Sequence, residues 1–259
     1  MNAHESISAA IRAANARGEP ALVGYLTAGF PGRERFVADL RRIAEGADVV
    51  EIGVPFSDPM ADGITVQRSS RVALEQGVSL SWILATLEHL APRPRAPLLL
   101  MSYLNPLLAF GAERLARSAE RSGVAGFIVP DLPFDEGEPM REAFSGRGLA
   151  LVQMVTPVTT AERLRRICAN SQGFVYAVTM TGTTGKHVAV PPEVTDYLDS
   201  VRALSPVPVC AGFGIRSREQ LARLRGHVDG VVIGSALVEV LERGEDPAAW
   251  LRGLKGEEG

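Results

Sequence analysis

Asp48-Val49-Val50-Glu51-Ile52-Gly53-Val54-Pro55-Phe56-Ser57-Asp58-Pro59-Met60-Ala61-Asp62-Gly63 is the stretch on which the fold turns. Val49, Val50 and Ile52 make a near-continuous apolar run, the pattern of a strand covered on both faces in a parallel sheet. Glu51 interrupts that run. A carboxylate there is costly to bury unless it is paired, protonated or used in chemistry. Its own segment supplies no basic partner, although another part of the fold is free to do so. The loop that follows is rich in Gly, Pro and Asp and adds two carboxylates, Asp58 and Asp62. An acid at the carboxyl end of a parallel strand, followed by an acidic loop, is the usual place for the chemistry of an α/β enzyme.

Seven more apolar runs share this character: Ala21–Thr27, Leu98–Tyr103, Gly126–Pro130, Ala150–Thr156, Gly173–Thr179, Pro208–Gly212 and Gly230–Gly234. Each is bounded by Gly or Pro, as strands tend to be. Amphipathic stretches separate them: Phe36, Leu40 and Ile43 share one face, as do Leu164, Ile167 and Cys168. Thr159 or Thr160, Ser217 with Gln220, and Asp135-Glu136 are helix-start signals. Strict alternation without a hairpin signal predicts a parallel sheet. Eight units in 259 residues predict a single (β/α)8 TIM barrel domain over 1–259. The competitor is a doubly wound open sheet, but Thr27-Ala28-Gly29-Phe30-Pro31-Gly32 is not its glycine fingerprint. Beyond the eightfold unit we expect an extra N-terminal helix, His4–Arg17, closing the barrel's N-terminal mouth. Additional helices are expected after strands 2 and 8, those after strand 2 breaking at Gly77. A long loop, Gly182–Pro192, reads as a lid.

Composition excludes several classes. The net charge is −3 and charged residues make up 22 %, with arginines scattered along helix faces, so no nucleic-acid or membrane surface is expected. No apolar stretch approaches the roughly 20 residues of a membrane span. The first residues lack the apolar core of a signal peptide. Cys168 and Cys210 have neither disulfide nor metal spacing and read as buried thiols, so a reducing cytoplasm is the expected compartment. His4, His89, His187 and His227 show no metal spacing, and His187 in the lid keeps an open role.

Gly214, Gly234 and Ser235 follow the seventh and eighth runs. Barrels that hold phosphate do so with backbone N–H groups at those two strand exits and at a short helix's N-terminus. The plain alternative is a pair of tight turns. Asp62 read alone is turn chemistry; together with Glu51 it makes a two-carboxylate site, one an acid/base and the other an acceptor. Tyr176 either offers a hydroxyl to the same mouth or packs in its strand.

These residues resemble the tryptophan synthase α-subunit family. The Glu51–Gly63 signature carries the resemblance. It continues in Tyr25-Leu26-Thr27-Ala28-Gly29, Met101-Ser102-Tyr103-Leu104-Asn105-Pro106 and Val129-Pro130-Asp131-Leu132-Pro133, then in Ala211-Gly212-Phe213-Gly214-Ile215 and Gly234-Ser235-Ala236. The resemblance implies a (β/α)8 barrel that cleaves indole-3-glycerol phosphate to indole and glyceraldehyde 3-phosphate by a retro-aldol step without a cofactor. It assigns the acid/base to Glu51 and the indole N–H acceptor to Asp62. It gives the phosphate to Gly185, Gly214, Gly234 and Ser235, further contacts to Tyr176 and Thr184, and the indole walls to Leu22, Leu100 and Phe213. It places Asp58 at the interface with a pyridoxal-phosphate β subunit in an α2β2 complex. The family pattern differs at Ile64, where Pro is usual, and in the lid segment Thr179–Gly185. A stand-alone lyase, an α-like allosteric subunit with weak catalysis, and another sugar-phosphate barrel are the rival readings.

Overall fold

A computed structural model describes residues 2–179, 191–212 and 214–256. The strands are β1 (Ala21–Thr27), β2 (Val49–Gly53), β3 (Leu98–Met101), β4 (Val124–Ile128), β5 (Ala150–Val155), β6 (Val175–Val178), β7 (Val209–Gly212) and β8 (Gly230–Ile233). They pair in sequence order, all parallel, and β8 returns to β1, so the barrel closes. Closure removes the exposed sheet edge that an open arrangement would leave. Around the strands lie α1 (Ala3–Ala16), α2 (Phe36–Gly46), α3 (Ile64–Glu75), α4 (Leu80–Glu88), α5 (Leu104–Phe110) and α6 (Ala112–Ser122). The series continues with α7 (Glu138–Ser145), α8 (Ala161–Ala169), α9 (Pro192–Leu204), α10 (Arg218–Leu224), α11 (Ser235–Glu242) and α12 (Pro247–Lys255).

The helix starts follow side-chain chemistry that the sequence carries. Thr160 accepts the Arg163 N–H at 3.4 Å and opens α8. Ser217 and Gln220 exchange bonds at the start of α10, Gln220 N–H to Ser217 Oγ at 3.3 Å and Ser217 N–H to Gln220 Oε1 at 3.2 Å. Gly77 takes a left-handed φ of 73° between α3 and α4, where the expected break falls. Asp135-Glu136 opens a short 3-10 turn, Phe134–Glu136, and α7 proper begins two residues later. One helix was not anticipated: α5 precedes α6 in the crossover after β3, the two meeting at Gly111 with φ 88°.

Alternation along each strand divides the core into two layers. Leu22, Leu26, Val50, Ile52 and Leu100 point outward and pack under the helices. Ala21, Val23, Val49, Leu99 and Phe174 point inward, and Ile7, Ile11 and Ala14 of α1 pack against them. The N-terminal helix therefore closes one mouth of the barrel. Two aspartates pin the rim at that end. Asp48 accepts the Leu22 N–H at 2.9 Å and pairs with Arg17 at 2.9 Å and Lys255 at 3.0 Å. Asp229 repeats the device, accepting the Val209 N–H at 2.8 Å and pairing with Arg202 at 3.0 Å. The opposite mouth, where the strands end, is left for loops.

Candidate active site

Glu51 lies on the inward-facing side of β2, beside Tyr25 of β1 and Leu99 of β3 in register. It is 1 % exposed. Among the described residues it has no ion-pair partner, and its Oε2 has no hydrogen bond. The basic partner that the sequence left open is not found there. Burial, and then the negative charge of Asp62, push its carboxyl up to about 8. A carboxyl that stays protonated at neutral pH and faces a cavity is equipped to donate a proton.

Asp62 reaches the same mouth from the loop between β2 and α3. Its backbone is fixed on both sides: its N–H donates to Pro59 O at 3.2 Å, and its carbonyl accepts from Gln67 Nε2 at 2.8 Å. Tyr103 braces the loop by stacking on Phe56, ring centroids 5.0 Å apart. Its hydroxyl also accepts the Ala61 N–H at 2.9 Å. Burial raises the Asp62 carboxyl to about 6, and the neighbouring Tyr103 hydroxyl works in the opposite direction. Burial and the adjacent Asp62 lift the Tyr103 phenol to about 12.

Glu51, Asp62, Tyr176, Gly214, Gly234 and Ser235 all line one cavity of about 640 Å³ at the C-terminal mouth. Tyr176 is therefore a pocket residue, and burial raises its phenol well above the ordinary value. Ser235 begins α11, whose amino end has no side-chain cap. Gly234 and Gly214 (φ 65°) have open space where a Cβ would stand. Uncapped N–H groups at a helix start, reached past bare glycines, suit an oxyanion.

Two of the expected wall residues are elsewhere. Leu22 and Leu100 are fully buried in the outer layer beneath the helices and do not reach the cavity. The error is one of strand parity: a shift by an odd number of residues moves a side chain to the other face. The inward residues at those places are Tyr25, three residues after Leu22, and Met101, next to Leu100, and both line the cavity. Tyr25 is joined through its hydroxyl to Thr27 Oγ1 at 3.1 Å, and Thr27 in turn meets Ser69 Oγ of α3 at 2.6 Å. Counting in twos from Glu51 through the parallel register identifies both residues. Tyr103 was missed as well, because its part is played through the loop. Phe213, Thr184 and Gly185 lie outside the described residues, as does most of the expected lid with His187. Asp58 is exposed on the loop's outer side, beside Met60, which is 94 % exposed.

Glycine makes the tyrosines possible. Gly53 also faces inward, and a Cβ there would run into the Tyr25 hydroxyl. At Gly212 a Cβ would stand 2.7 Å from the Tyr176 hydroxyl. Each ring lies across a bare backbone, at opposite sides of the mouth.

A fold and a mouth of this kind occur together in known proteins. The family model described as tryptophan synthase alpha chain matches residues 11–255. The chain belongs to the tryptophan synthase alpha chain family. It is 48 % identical over 237 residues to the tryptophan synthase alpha chain of Desulfovibrio desulfuricans, covering 90 % of this chain and 93 % of that one. The alpha chain of Nitratidesulfovibrio vulgaris is 46 % identical over 243 residues, covering 93 % and 95 %. Among solved structures, a tryptophan synthase from M. tuberculosis superimposes with a TM-score of 0.87 at 33 % identity, over 97 % of both chains. The alpha subunit from Legionella pneumophila gives 0.86 at 31 % identity, over 99 % of this chain and 97 % of that one. The activity is thus that of a carbon–carbon lyase acting on indole-3-glycerol phosphate.

Proposed function

We propose that Glu51 and Asp62 carry out the cleavage of indole-3-glycerol phosphate in a single barrel domain. The supporting observation is the pair itself: a buried Glu51, without an ion-pair partner among the described residues and held protonated, beside an Asp62 whose carboxyl is raised less. Glu51 gives its proton to indole C3, which places positive charge on the ring. Asp62, ionised, accepts the ring N–H and stabilises that charge. The side-chain hydroxyl next to C3 then loses its proton to the Glu51 carboxylate, and a carbonyl forms. The carbon–carbon bond breaks, and its electron pair returns to the ring. The products are indole and glyceraldehyde 3-phosphate, with Glu51 reprotonated. Gly214, Gly234 and Ser235 hold the phosphate, and the family resemblance adds Gly185 and Thr184. Tyr25, Met101 and Tyr176 surround the indole, and the family resemblance adds Phe213.

The exposed loop supports a partner surface. Met60 (94 % exposed), Ile64 (83 %) and Leu108 (59 %) are large apolar residues open to solvent near Asp58 or on the neighbouring α5. We assign that face to a pyridoxal-phosphate β subunit that receives the indole for tryptophan synthesis, in an α2β2 complex in the cytoplasm.

The test is cleavage of indole-3-glycerol phosphate by the purified chain, alone and with a β subunit. Acceleration by β is expected, and rapid turnover that β does not change would favour a stand-alone lyase. Glu51→Gln should keep the fold and substrate binding and lose roughly 10²–10⁴-fold in turnover. Near-wild-type turnover would refute the acid/base assignment.

A further inference from the structure

Arg216 stands two residues after Gly214 and is unused in the chemistry above. Its backbone is anchored, the N–H donating to Gln220 Oε1 at 2.7 Å. Its guanidinium forms a two-pronged pair with Glu239, Nη1 to Oε2 at 2.6 Å and Nη2 to Oε1 at 2.9 Å. The same Nη2 lies 3.5 Å from Ser235 Oγ. Glu239 is one helical turn beyond Ser235 on α11. Left bare, its carboxylate would oppose a phosphate dianion at the helix start. Arg216 cancels that charge. Glu239 occupies only part of the guanidinium's five N–H donors, so donors remain for a phosphate oxygen at Ser235.

We propose that Arg216 is a phosphate-specificity residue, held over Ser235 by Glu239, that neutralises this carboxylate beside the backbone cradle and offers its remaining N–H donors to the phosphate. The inference rests on the phosphate reading of Gly214, Gly234 and Ser235. Arg216 is close to half exposed, so replacing it leaves the core intact.

The experiment compares wild type, Arg216→Ala and Arg216→Lys on indole-3-glycerol phosphate and on dephosphorylated indoleglycerol, with glycerol 3-phosphate as inhibitor. The charge-matched control is Arg223→Ala, at an exposed position in the last turn of α10. Arg216→Ala should raise both the KM for the phosphorylated substrate and the Ki of glycerol 3-phosphate about tenfold, the worth of one charge-assisted bond. The KM for indoleglycerol should stay put, Arg216→Lys should fall between, and the control should match wild type. An unchanged Ki in Arg216→Ala, or equal KM rises for both substrates, overturns the role of Arg216. A wild type that neither cleaves the phosphorylated substrate nor binds glycerol 3-phosphate overturns the phosphate site itself.

Discussion

Replacing Glu51 by Gln should remove a pH-dependent loss of stability, so that the variant gains on wild type as pH rises. Folding moves the Glu51 carboxyl from about 4.5 to about 8, chiefly by burial. Between those values the unfolded chain releases a proton that the folded chain retains. The folded state's advantage from this group is therefore complete below about pH 4.5, declines as pH rises, and is gone above about pH 8. Each pH unit in the window is worth about 1.4 kcal/mol. From 4.5 to pH 7 the loss is about 3 kcal/mol, a large share of a typical domain's stability. Gln has the same shape and does not titrate. Its amide adds a cost or gain that is the same at every pH, so the slope isolates the carboxyl. Urea unfolding of both proteins at pH 5.5, 7 and 8 measures it, with the variant gaining about 1.4 kcal/mol per unit from pH 5.5 to 7 and less from 7 to 8, where Glu51 begins to ionise in the folded state. A gap that stays constant over this range, or widens toward acid, would refute the buried, protonated Glu51.

Other predictions concern the mouth. The kcat/KM for cleavage should be bell-shaped, falling below about pH 6 as Asp62 takes up a proton and above about pH 8 as Glu51 loses one. A flat profile across pH 5–9 would contradict the assigned pair. Tyr103→Phe keeps the stack on Phe56 but removes the acceptor of the Ala61 N–H and the hydroxyl that lowers Asp62. Its acid limb should therefore move to higher pH, and kcat/KM should drop about tenfold, as for one lost bond to a charged group. Gly53→Ala should destabilise by about 1–3 kcal/mol through overpacking against Tyr25, read in the same urea melts. In a Tyr25→Ala background, which carries its own cavity cost, the further loss from Gly53→Ala should largely vanish.

The barrel was legible because its signals are local and repeated. Eight apolar runs bounded by Gly or Pro, with amphipathic stretches between them, leave few topologies, and the caps at Thr160 and Ser217 needed only near neighbours. Glu51 stood out because a lone carboxylate in an apolar run has few physical explanations. Leu22 and Leu100 failed where the required information was relational. A strand's inward side is defined by its register to the next strand, and Tyr25 opposite Glu51 is a fact of pairing that no single segment contains. The α5 helix escaped notice for another reason. It is only seven residues long, holds Pro106 in its first turn, and is stabilised by its packing on α6 rather than by its own pattern.

The two carboxylates owe their different acidities to the two kinds of structure that hold them. Glu51 is placed by a strand in a closed barrel, where neighbouring strands exclude water and no cation is within reach among the described residues. Such burial, with the charge of Asp62 added to it, keeps the carboxyl protonated at neutral pH, and it also costs stability as pH rises. Asp62 sits on a loop, part-buried, with a tyrosine hydroxyl in support, so it ionises first. These different surroundings, with the charge of Asp62 acting on Glu51, set one group as the acid and the other as the base. The same loop exposes Asp58 and Met60 on its far side. Pressure from a partner on that side would act directly on Asp62 while leaving Glu51, fixed in the sheet, where it is. Partner binding should therefore shift the acid limb of the pH profile more than the basic limb, which feels the loop only through the charge of Asp62. Movement of the basic limb alone would mean that the partner deforms the barrel itself.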